Sequence, residues 1–304
     1  MAAVQEVQQE DGAARLGKDL FSGAMGGIAQ VLIGQPFDIV KVRLQTTQEY
    51  KGAIDCASKI WSHEGPLAFY KGTLTPLLGI GACVSVQFGA FHYARRSLEA
   101  RNSASNPLAP GTLSLGQFYL AGAFAGLTNT VLSTPIEHIR IRLQTQPHDP
   151  ARRLYSGPGD CIRKLYRADG LRAIFRGSGV TSLREMQAYG MWFLTFEALM
   201  NADAKRTGVE RKTIATWKVA LYGGLAGEAL WLGSYPLDVI KSKMQTDGFG
   251  GAQKYPSMRT VAAEMWAQGG ARAFWKGIGP TLARAMPVSA GTFAVAEMTS
   301  RWLG

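Results

Sequence analysis

The chain has 304 residues, a net charge of +11 and a hydrophobic fraction of 46%, values that alone would pass for a basic soluble protein of two domains. Its three scattered cysteines, Cys56, Cys83 and Cys161, have no metal-ligand spacing and argue against both a disulfide framework and a zinc site. The bases gather in pairs such as Arg95-Arg96, Arg152-Arg153 and Arg163-Lys164. That grouping suits anionic lipid headgroups and argues against nucleic acid as a partner, because no basic stripe is interleaved with stacking aromatics.

Residues 1–16 carry Glu6, Glu10 and Asp11 against Arg15 and read as a polar tail, neither a secretory signal nor an Arg-rich transit peptide. Residues 17–104 form a first unit. No charge occurs from Leu20 to Phe37, a length approaching a membrane span, and the small-residue stripe Gly23-Ala24-Met25-Gly26-Gly27 lies within it. Nine residues after Gly27 stands Pro36, opening Pro36-Phe37-Asp38-Ile39-Val40-Lys41-Val42-Arg43-Leu44-Gln45. The proline removes a backbone donor, so a kinked helix is expected there. A short amphipathic segment follows near 53–62, then Glu64-Gly65 and Tyr70-Lys71-Gly72, which open a second charge-free stretch reaching Phe91.

Residues 105–206 repeat this order, with Gly122-Ala123-Phe124-Ala125-Gly126, then Pro135-Ile136-Glu137-His138-Ile139-Arg140-Ile141-Arg142-Leu143-Gln144, an amphipathic stretch at 156–167, Asp169-Gly170 and Phe175-Arg176-Gly177. Residues 207–304 repeat it again, with Gly223-Gly224-Leu225-Ala226-Gly227, then Pro236-Leu237-Asp238-Val239-Ile240-Lys241-Ser242-Lys243-Met244-Gln245, an amphipathic stretch at 256–267 and Trp275-Lys276-Gly277. Here Gly269-Gly270 stands where the other units have an acid before glycine. The prolines lie 99 and 101 residues apart, so the chain is a tandem triplicate. The expected fold is an all-α membrane protein with two spans per unit, six in all, and a short amphipathic helix in each connector. The spans near 177–201, 213–237 and 277–303 carry isolated charges (Arg184, Glu185, Glu228, Arg284, Glu297) and would score poorly on hydropathy.

Three signatures, three glycine stripes and three aromatic-base-glycine turns in register resemble the mitochondrial carrier family over essentially the whole chain, most of all the fungal amino-acid and organic-acid carriers beside the carnitine and ornithine groups. The resemblance implies a monomer in the inner mitochondrial membrane, with cardiolipin as a lipid partner, no cofactor, and a central cavity that opens alternately to either side. In each signature the acid and base three residues apart share a helix face and could form a surface pair. The resemblance instead implies a matrix-side gate of interhelical pairs, Asp38–Arg140, Glu137–Lys241 and Asp238–Lys41, braced by Gln45, Gln144 and Gln245. Ion pairs that only partly offset their desolvation can be broken in each cycle. At the cytoplasmic gate, where the family carries aromatic-acid-x-x-base, this chain has Phe91-His92-Tyr93-Ala94-Arg95, Phe196-Glu197-Ala198-Leu199-Met200 and Ala296-Glu297-Met298-Thr299-Ser300. Only Arg95 with Glu297 makes a full pair, so the expected resting state is open to the cytoplasmic side.

Eight residues after Lys71, Arg176 and Lys276 lie Gly79, Arg184 and Arg284; Ile80, Glu185 and Ala285 follow, and Cys83, Ala188 and Val288 lie one turn on. An ionisable group inside a span costs roughly 2.5–3.5 kcal/mol on insertion scales, which makes it a functional candidate. Guanidiniums suit bidentate carboxylate binding, so Arg184 and Arg284 are candidates for substrate carboxylates and Glu185 for an ammonium. The plainer alternative is that Glu185 only neutralises its neighbour Arg184. By resemblance, an arginine-acid pair here implies amino acids or carnitine-like zwitterions. The absence of an acid at Cys83 argues against lysine or ornithine. Two guanidiniums to one carboxylate favour an acidic amino acid such as glutamate. Gln87 and Trp231 are further cavity candidates, although ordinary packing explains Trp231 more simply. Glu228 is a candidate for proton coupling. A carnitine or acylcarnitine exchanger is the nearest rival, and a degenerate carrier acting as a leak or receptor a remoter one. No nucleophile-base set, P-loop or metal spacing points to an enzyme.

Overall fold

The computed structural model describes residues 2–47, 49–105, 113–147, 151, 153–208, 210–248 and 252–302, with backbone alone for residues 2–20 and a few later positions such as Glu297. Among them are nine α-helices and no strand. They are α1 (Ala2–Thr46), α2 (Ala53–Glu64), α3 (Leu74–Ser105), α4 (Leu115–Thr145), α5 (Pro158–Ile174), α6 (Ser178–Thr207), α7 (Thr216–Thr246), α8 (Met258–Gly269) and α9 (Ile278–Trp302). Each repeat is a long helix, a short one and a long one. Helix α1 starts at Ala2, within the segment read as a tail. The hydrogen-bonded helices α1, α4 and α7 continue through Pro36, Pro135 and Pro236. By length and hydropathy one stretch, 66–104, is apolar enough to cross a membrane. The other long helices carry the inward charges described below, which lower their hydropathy without exposing a charge to lipid.

The short helices lie where the amphipathic stretches predict them, and each closes the signature end of its repeat over a small core. Val40 and Leu44 pack with Cys56 and Ile60; Ile139 and Leu143 with Cys161 and Leu165; Ile240 and Met244 with Val261 and Met265. Cys56 and Cys161 are therefore packing residues, free and buried. Local sequence sets the helix starts. Ser114 and Gln117 form a reciprocal capping box before α4, and the Ser257 side chain accepts from the Thr260 amide at the start of α8.

Among the described glycines of the stripes, those of the second bring their two long helices closest together. A Cβ on Gly122 would lie 2.5 Å from the Tyr189 carbonyl oxygen, and one on Gly126 would lie 2.4 Å from that of Glu185. Around Gly223, Gly224 and Gly227 there is nothing within 4 Å. The pairs α1/α3 and α7/α9 touch sparsely, whereas α1/α9, α3/α4 and α6/α7 pack closely across repeat boundaries. The third stripe thus meets no neighbour because the helix it would admit stands away.

The turn glycines have a more regular use. Gly72, Gly177 and Gly277 have φ of 78°, 79° and 86°, a region that favours glycine. Each lies against the signature of the following repeat: Gly72 on the Arg140 carbonyl, Gly177 on the Gln245 side chain and Gly277 on the Lys41 carbonyl. In the first repeat Arg43 binds both Glu64 carboxylate oxygens, and Lys71 donates to Oε2 at 2.6 Å. Burial opposes ionisation of Glu64, but these two bases outweigh it and bring its pKa from 4.5 down to about 2.

Gly126→Val should destabilise the protein by about 1–3 kcal/mol, because the new side chain meets rigid backbone, while Gly227→Ala should be close to neutral. Thermal unfolding in lipid nanodiscs of both variants decides this, and equal losses would contradict the packing described. A second measurement concerns acid. Glu64 binds its proton more weakly folded than unfolded, so its stabilisation is complete above its ordinary pKa of 4.5 and is lost as pH falls toward 2. Glu64→Gln should flatten that part of the stability profile; an unchanged acid limb would count against the triad.

Candidate functional site

Where α1, α4 and α7 converge below their prolines, the acid of each signature meets the base of a neighbour. Arg140 donates to Asp38 at 2.7 Å, Lys241 to Glu137 at 2.5 Å and Lys41 to Asp238 at 2.7 Å. These are the three interhelical pairs that the resemblance implies, and within a helix the acid and base do not pair. Lys41, Asp238 and Lys241 are almost fully buried, so each pair depends on its partner for solvation.

The third group on each pair is different every time. Gln45 donates to Asp238 at 3.1 Å and to the Tyr235 hydroxyl at 3.2 Å, and so braces Lys41–Asp238 as expected. Gln144 and Gln245 do not brace. Both amide atoms of Gln144 lack partners, and Gln245 reaches only Thr181, at 3.5 Å, with its carbonyl oxygen unpartnered. In place of Gln144, Gln35 holds Arg140: its oxygen accepts from Nη2 at 2.5 Å while its amide donates to the Lys71 carbonyl at 2.7 Å. The Glu137–Lys241 pair is held by Arg184 instead, whose Nη2 lies 3.0 and 3.1 Å from the two Glu137 oxygens. Gln35 falls just before Pro36 and outside the signature, so no spacing in the sequence marks it.

The candidate substrate arginines point inward and join this network. Arg184, 6% exposed, binds Glu185 as well as Glu137, so the neighbour contact foreseen as the plainer reading is present alongside the interhelical one. Arg284 binds Asp38 beside Arg140. Their long guanidinium arms reach from α6 and α9 to the signature acids of α4 and α1. Glu185 is 2% exposed, and its Oε2 has no partner among the described residues.

Other expectations change. Gly79 is no empty wall of a cavity: a Cβ there would lie 2.5 Å from Ile136 Cδ1, so the glycine admits that side chain between α3 and α4. Ile80 faces Gly27 across the α1/α3 boundary. Cys83 and Gln87 are half-buried on α3. Trp231, read as packing, lies under cations, with Lys41 Nζ 4.2 Å and Arg284 Cζ 5.7 Å from its ring centroid. Glu228, three residues earlier on α7, is half-buried and has no polar partner among the described residues. At the opposite end Arg95 pairs with Glu99 of its own helix at 2.7 Å, and the Glu297 side chain lies outside the described residues. Glu197 is held by Arg211 of the α6–α7 connector. Phe91 stacks on Phe193 with centroids 3.6 Å apart.

Three helical repeats that gather their ionised groups inward and hold them in breakable pairs define a membrane transporter. The chain belongs to the mitochondrial carrier family, matching the family description "Mitochondrial carrier protein" over residues 12–102, 111–205 and 212–304. It is 48% identical over 302 residues to the mitochondrial glycine transporter YMC1 of Saccharomyces cerevisiae, covering 99% of this chain and 96% of the relative. It is 44% identical to the glutamate/glycine mitochondrial carrier ymc1 of Schizosaccharomyces pombe, over 93% and 94% of the two chains. To the mitochondrial basic amino acids transporter of Bos taurus it is 39% identical, over 91% and 89%. The protein is thus a multi-pass transporter of the mitochondrial inner membrane, in a family branch that moves amino acids.

Because Gln35, and not Gln144, touches Arg140, a double-mutant cycle should separate them. Gln35→Ala with Arg140→Ala is expected to show a coupling of about 1 kcal/mol or more in thermal stability, and Gln144→Ala with Arg140→Ala almost none. Equal couplings would assign the brace differently.

Proposed function

We propose that this carrier moves a small amino acid, glutamate-like in charge, by alternating access through six spans, with the three signature pairs as the matrix gate. One observation carries the substrate reading. The linked groups comprise five cations (Lys41, Arg140, Arg184, Lys241, Arg284) and four carboxylates (Asp38, Glu137, Glu185, Asp238), leaving one positive charge in surplus. A substrate with two carboxylates and one ammonium neutralises it. Arg284, the second guanidinium on Asp38, takes the first carboxylate, with Trp231 as its platform. The unpartnered Oε2 of Glu185 takes the ammonium. A second carboxylate competes with Glu137 for Arg184.

Binding then acts on the gate directly. A substrate carboxylate on Arg284 or Arg184 removes a stabilising partner from Asp38 or Glu137, so the ligand favours the state in which those pairs have parted. Glycine, with a single carboxylate, engages Arg284 and Glu185 and leaves Arg184 on Glu137. The names of the two yeast relatives, one a glycine and one a glutamate/glycine carrier, agree with both modes. The chain works as a monomer among inner-membrane lipids, cardiolipin included, and makes no covalent bond to its cargo. Arg95, Glu297 and Glu228 have no place in this capture step.

Purified protein in liposomes should take up labelled glutamate and glycine, and carnitine or nucleotides far less. Loss of one charge-assisted contact is worth about 1.5–3 kcal/mol. Arg284→Ala should therefore lower uptake of both amino acids roughly tenfold to a hundredfold, whereas Arg184→Ala should reduce glutamate more than glycine. Carnitine uptake without amino-acid uptake would overturn the reading.

A further inference from the structure

The third repeat lacks an acid that the first repeat uses, and a cavity stands in its place. In the first repeat Glu64 is bound by Arg43 and Lys71. In the second, the turn base Arg176 reaches a carboxylate as well, that of Asp247, at 2.5 Å. The corresponding bases of the third repeat are Lys243 and Lys276, and the residue corresponding to Glu64 is Gly269. Lys276 donates to the Thr47 carbonyl at 2.9 Å, and among the described residues it has no carboxylate partner. Lys243 has no polar partner among them. Burial pushes the Lys276 ammonium below its usual pKa.

The backbone does not require glycine here. Gly269 has φ −156° and ψ 12°, while Asp169, its counterpart in the second repeat, has φ −157° and ψ 34°. A Cβ at Gly269 would lie 3.3 Å from that of Ala273, a tight contact that a small shift relieves. Beside Gly269 opens a cavity of about 820 Å³ between the ends of α1, α7 and α8, and Lys243, Arg272 and Lys276 all line it. The acids in its wall are engaged elsewhere, Glu264 with Lys254 at 2.6 Å and Asp247 with Arg176.

We infer that this cavity is an anion site that takes a phosphate group, free in the matrix or carried by a lipid headgroup, where Glu64 sits in the first repeat. Three cations with no carboxylate bonded to them among the described residues call for a multiply charged oxyanion, and lysines bind phosphate as point charges. The volume leaves room for the rest of a phosphorylated molecule. Because the site lies beyond the signature pairs and shares none of their charged groups, its occupancy stabilises the closed signature end, tying α7 to α1.

The test uses the full chain in phosphatidylcholine nanodiscs, with inorganic phosphate compared to chloride at equal ionic strength. Phosphate at ten times its Kd should raise the unfolding temperature by about 3 °C. Lys243→Gln and Arg272→Gln should lose that response. Gly269→Glu should lose it too and unfold at a higher temperature without phosphate, since it supplies the anion from the chain. If inorganic phosphate has no effect but discs containing cardiolipin raise the unfolding temperature in the wild type and not in the lysine and arginine variants, the phosphate is lipid-borne. If neither stabilises the wild type, or the response survives in both of those variants, the site does not exist. Amino-acid uptake stands or falls separately, because Lys243 and Arg272 touch no group of the proposed transport path.

Discussion

Asp38 and Glu137 each serve two masters, and much of the molecule follows from that sharing. Each is the acid of a signature pair and also the anchor of an arginine from an even-numbered span, Arg284 and Arg184. Asp238 has no such third cation; an amide, Gln45, fills the position. Two carboxylates therefore solvate four cations in a largely buried region. Such an arrangement holds together through mutual dependence and has little excess stability. In the proposed cycle it closes one end of the bundle and yields to a competing carboxylate.

The departure from threefold order is as informative as the order. A ring of identical pairs distinguishes nothing about a solute, because a small amino acid has no threefold axis. Here one pair is braced by an amide from the signature, one by an amide from before the proline, and one by a guanidinium. The unequal bracing puts the two extra cations near two of the three pairs, on the sides where Glu185 and Trp231 also stand. On the proposed reading, recognition and closure use the same few side chains, so selectivity and conformational change are one event.

Much of this was legible in the chain. The triplicate and the short helices in the connectors follow from spacing, whereas the partner of each signature acid comes from the resemblance, since spacing alone allows an acid–base pair within each helix. What escaped was set by side-chain reach and by packing across repeats. Gln144 and Gln245 carry the brace motif yet touch neither pair, since Gln35 and Arg184 occupy those positions. Gly79 aligns with Arg184 and Arg284, yet the space beside it is filled by Ile136 of the neighbouring helix. Trp231 looked like packing because nothing in the sequence brings Lys41 and Arg284 over its ring. The small-residue stripes are alike on paper, but among their described glycines it is Gly122 and Gly126 that have a helix close enough to need them.

The left-handed turns at Gly72, Gly177 and Gly277 lead somewhere less local. Each turn leans on the signature strand of chain that comes next in the cycle: the first repeat on the second, the second on the third, the third back on the first. The three contacts thus close a loop around the bundle, so the units meet like the blades of an iris rather than as three separate doors.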